Sequence, residues 1–175
     1  MWPAAGGAAR VQVSVRPEVP PVEVYAFPAS LAPHVSLGLR LPSATSRSRA
    51  WVAAKAAAMA ETGGSCAVTG GPLAAAHERW EWDDGARVLR LVGLRAEAPE
   101  VQQVGGLLEL EQDAAVAAAG LLQRLNSWSN ADTVLYLGHQ MALRQARSAQ
   151  PWRLDLRWLA ERGVSVPAKL QPLCV

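Results

Sequence analysis

Cys66-Ala-Val-Thr-Gly70, Ala76-His-Glu-Arg-Trp-Glu-Trp-Asp-Asp-Gly85 and Leu91-Val-Gly-Leu94 decide how this chain reads. The middle word runs into a turn signal and is followed by Val88, Leu89 and Leu91, so the stretch Leu73 to Val92 reads as a β-hairpin. Its strands are expected near residues 74–82 and 86–92. Asp83-Asp84-Gly85 is expected to supply the positive-φ residue of the turn. Trp80 and Trp82 share a parity and therefore one side of the hairpin. An aromatic pair at that spacing reads as core before it reads as a base-stacking platform.

Helical signals flank the hairpin. Ala50 to Glu61 is helix-favouring, carries Trp51 and Met59, and stops at Thr62-Gly-Gly. Glu109 to Leu125 is an Ala/Leu-rich helix. A second runs from about Ala131 to Arg147, with Ser129 or Asn130 as N-cap and Asp132 at the positive end of the dipole. Val134, Leu137, Met141 and Arg144 or Gln145 recur at helical spacing and predict one apolar face. Trp152 to Leu159 alternates at first and then turns into a short helix ending at Gly163. Upstream, residues 1–21 read as a Pro/Gly/Ala-rich arm, Val22 to Phe27 as a short strand, and residues 28–49 as an irregular wrap. The fold class is α+β.

Composition bounds the function. Half of the 175 residues are hydrophobic and 18% are charged, which is a globular composition. A net charge of +2 is too small to argue for nucleic acid or an anionic membrane as partner. No apolar run approaches the ~18–20 residues of a membrane helix. Cys66 and Cys174 cannot make a disulfide framework, so a reducing, intracellular compartment is the default. The first 17 residues hold Arg10, Ser14 and Arg16 and no acid. That leaves a chloroplast or mitochondrial transit segment and a plain cytoplasmic arm equally open.

In their order, the opening words resemble the HNH-type ββα-metal endonuclease family. There a Cys-x-x-Cys-Gly knuckle leads to an Ala-His-Glu-Arg-Trp-Glu-Tyr-Asp-like strand, and a Leu-Val-Gly-Leu segment runs on to Cys-Pro-x-Cys-His. Tyr25-x-Phe27-Pro28-x-Ser30, Trp51-x-x-x-Lys55, Leu125-Asn-Ser-Trp128-Ser129 and Trp152-x-Leu154-Asp155-Leu156-x-Trp158 extend the resemblance over roughly residues 22–163. An arm (1–21) and a C-terminal tail (164–175) flank that span. The resemblance implies an HNH-like ββα core, a hairpin packed on helices, with additional C-terminal helices.

Such a nuclease needs a strand-end His as general base and a divalent cation bound by His or Asn. Zinc-bearing members add a structural site of two Cys pairs. Mapped onto this chain, His77 keeps the base position and Cys66 the first knuckle position. Thr69 stands at the second knuckle position, Ala98 and Val101 at the third and fourth, with Pro99 between them. Gln102 replaces the metal-binding His, and Gly106 falls near a further His position. One thiol cannot make a tetrahedral zinc site, and neither Ala nor Val ligates anything. The expectation is therefore no metal, no cofactor and no catalysis, with His77 vestigial and hydrogen-bonded to a carboxylate.

The function implied is that of a non-catalytic HNH-like structural or interaction protein. It would be an accessory subunit of a larger assembly, with other protein subunits as partners and the Pro-rich arm suited to docking. The competing readings are a metal-dependent HNH nuclease and a nucleic-acid binder that does not cleave.

Overall fold

The computed structural model describes residues 48–72, 75–166, 168 and 170–175. The arm of residues 1–21, the strand at Val22–Phe27 and residues 28–47 of the wrap lie outside the described residues.

Helix α1 (Arg49–Glu61) opens where the Ser48 hydroxyl accepts the Trp51 N–H at 3.1 Å. It ends where Gly63 and Gly64 take φ of 60° and 83°, a region costly for side chains with a Cβ. Strands β1 (Ala75–Asp83) and β2 (Val88–Glu97) pair antiparallel, and β3 (Arg153–Asp155) adds to β2 in parallel, giving the order β1-β2-β3. Helix α2 (Pro99–Gly105) follows β2 directly, with Pro99 in its first turn, where a missing N–H costs nothing. A 3₁₀ turn (Leu107–Glu109) leads to α3 (Gln112–Asn126) and α4 (Asn130–Ser148). Ser129 caps α4 in a reciprocal box with Asp132, as its sequence predicts. A short α5 (Arg157–Ala160) turns at Gly163, whose φ is 67°.

The architecture is α+β, with the hairpin contacting helices. Two apolar clusters hold it. The first gathers Trp51 of α1, Trp80 of β1, Leu89 and Leu91 of β2, Trp152 and Leu154 at β3, and Leu159. Val164 and Leu170, from the last dozen residues, are buried in it as well. Cys66, Val68, Ala98, Val101 and Val104 form the second cluster with Leu107, Ala118, Leu122 and Trp128.

Four expectations need correction. The second strand continues to Glu97 rather than stopping near residue 92, because an irregularity where Trp80 follows Arg79 lets β2 carry the extra residue Val92 and stay in register. In the turn, Arg87 and not Gly85 takes positive φ, at 55°. The Asp83 carboxylate accepts the Ala86 N–H at 2.8 Å, which sets a four-residue connection and moves the left-handed position to its last residue. The stretch expected as one helix from Glu109 splits into the 3₁₀ turn and α3. The apolar spacing on α4 is only in part a core face: Leu137 packs against the second cluster, whereas Val134 and Met141 are each 62% exposed, and the helix also buries Thr133 and Arg147.

Candidate functional site

The positions mapped to the knuckle come together: Cys66, Ala98 and Val101 share one buried cluster, and Thr69 lies exposed on the turn that carries Cys66. A tight turn carries Cys66: its N–H donates to Gly71 O at 2.9 Å and its carbonyl accepts from Gly70 N at 2.8 Å. Gly70 takes φ of 69° to close it. Ala67 N–H donates to Ala96 O at 2.9 Å, which ties the turn to the end of β2. Ala98, the N-cap of α2, is 1% exposed, Val101 one turn on is 2% exposed, and both lie in the cluster that holds Cys66.

Burial pushes the Cys66 thiol up. Hydrogen bonds from the Thr69 hydroxyl and from the backbone at Thr69, Ala98 and Val68 outweigh that and leave it below its ordinary value. The other three positions offer a hydroxyl, a methyl and an isopropyl group. That donor set does not fit zinc, which takes four ligands drawn from thiolates, imidazoles and carboxylates. Val68, Val101 and Val104 are buried in the same apolar cluster as Cys66.

His77 lies on β1 opposite Arg95 of β2. The Gln102 side chain, reaching from α2, meets its Nε2. With the amide N–H donating, the lone pair that a general base or a metal ligand would use is engaged. Burial, and then the nearby charge of Lys55, hold the His77 pKa down to about 4, so the ring is neutral at pH 7. The partner is an amide where a carboxylate was expected. Gln102 occupies the nearest position, and the carboxylate of Glu97 turns to Arg95 Nε at 2.6 Å. Burial raises the Glu78 carboxyl above its ordinary range.

Among the described residues no three His, Cys, Asp or Glu side chains are grouped to hold a metal ion. His139 is exposed on α4, His34 lies outside the described residues, and Gly106 caps the end of α2.

Trp80 is in the first core at 6% exposure, while Trp82 is half-buried at its margin, edge-on to Trp152 with ring centroids 5.0 Å apart. Asp84 and Gly85 form the exposed turn. The Asp84 carboxylate receives both Nε and Nη2 of Arg147 at 2.8 Å, and this holds its pKa below the usual range. The Arg147 guanidinium sits 4.1 Å from the Trp82 ring centroid, and Trp152 Nε1–H donates to Arg147 O at 2.9 Å. One residue at the end of α4 thereby locks the hairpin turn, β1 and the lead into β3.

Sequence reasoning passed over Arg147 as a bridge, because nothing local pairs it with Asp84, 63 residues away. It quoted Asp155 only as part of a family word and gave it no partner. This carboxylate is buried, takes Arg90 and Arg157 together, and is held below its ordinary range chiefly by Arg157.

No family model, no curated protein and no solved structure matches this chain.

Proposed function

We propose that this protein is a catalytically silent HNH-like domain serving as a structural or interaction subunit of a larger protein assembly. The observation that carries the reading is the state of His77: its Nε2 faces the amide of Gln102, and its proton affinity is low. A general base acts with an electrophilic cation beside it. Here the neighbouring side chains are an amide, a lysine and a carboxylate turned to an arginine.

The order β1, β2, α2 supports the HNH-like assignment. It puts the base position on the first strand and the ligand position on the helix that follows the second, and the two touch. The filled knuckle supports the loss of metal from this lineage, since Ala98 and Val101 substitute buried hydrocarbon for two thiolates. A domain that keeps its scaffold and replaces its chemical groups serves through its surface.

The test compares wild type with His77→Ala. Purified protein is assayed for bound metal and for plasmid nicking in Mg²⁺, Mn²⁺ and Zn²⁺, and native extract is fractionated for copurifying subunits. The expected result is no nicking by either form and the same partners on both. Metal-dependent nicking by wild type that disappears in His77→Ala overturns the proposal in favour of a nuclease.

A further inference from the structure

We draw no further inference here: the strongest candidate, the exposed apolar face of α4 at Val134, Leu135 and Met141 with the groove of about 660 Å³ that Met141 shares with Leu108, Gly138 and Ala142, carries nothing because nothing in the structure shows what covers it.

Discussion

Placing three thiols beside Cys66 should create a zinc site. The perturbation is Thr69→Cys, Ala98→Cys and Val101→Cys together, with Cys66 retained. Without metal the variant loses stability at each position. A sulfur added at Ala98, which is 1% exposed, overpacks a filled site and costs about 1–3 kcal/mol. Trimming the buried Val101 side chain costs roughly 0.5–1.5 kcal/mol. Removing the Thr69 hydroxyl ends its bond to Gly71 N–H at 3.2 Å, a loss of about 1 kcal/mol. The metal-free variant is thus destabilised by roughly 2.5–5.5 kcal/mol in sum.

Zinc present at a thousandfold excess over its Kd returns about 4 kcal/mol, close to the whole deficit. Urea unfolding followed by far-UV circular dichroism, with zinc and with a chelator, measures both quantities. Co²⁺ substitution reports tetrahedral thiolate ligation through its visible absorption. The expected outcome is one zinc per chain, lost on a further Cys66→Ser change. A variant that folds, whether alone or on zinc addition, yet shows no Cys66-dependent metal binding would refute the geometric reading of these four positions.

Trp80→Ala should cost about 3–5 kcal/mol in urea unfolding, since it empties the largest β1 position of the first core; a loss under about 1 kcal/mol would mean that the indole is not core. The His77 pKa lies below its unfolded value, so the unfolded chain binds the extra proton between pH 6.5 and 4, and the native state loses stability as pH falls through that window. After discounting for the part of the ring that water reaches, wild type should lose about 1–2 kcal/mol more than His77→Ala between pH 7 and pH 4, and equal losses would contradict the assigned environment. Arg147→Ala should cost about 2–3 kcal/mol, combining a charged hydrogen-bonded pair with the stack on Trp82. Asp84→Asn should cost less, because that carboxylate is exposed, and a double-mutant cycle reads their coupling directly.

The hairpin was legible because its signals are local. Alternating Trp80 and Trp82, an Asp-Asp-Gly turn and a Val/Leu-rich return strand each act within a few residues. The cap of α4 was legible for the same reason, since Ser129 and Asp132 lie within one turn. So was the stop of α1, where Gly63 and Gly64 accept a conformation that a Cβ opposes. That Ala98 and Val101 offer no metal-binding group was likewise a matter of residue identity.

Only the tertiary structure decided which side chain meets His77 and which apolar residues are core. Gln102 meets His77 across 25 residues, Arg147 reaches Asp84 across 63, and Arg90 reaches Asp155 across 65. None of these side chains carries a local mark of its partner. On α4 the periodicity of Val134 and Met141 is real, but periodicity states that a helix has an apolar face and not that anything packs on it. The helix instead packs Tyr136 and Leu137 against the second cluster and reaches the hairpin turn and Trp82 through Arg147. Local propensity and turn chemistry are properties of neighbours in the chain, whereas burial is a property of neighbours in space, and the long-range pairs became visible only once the chain had folded.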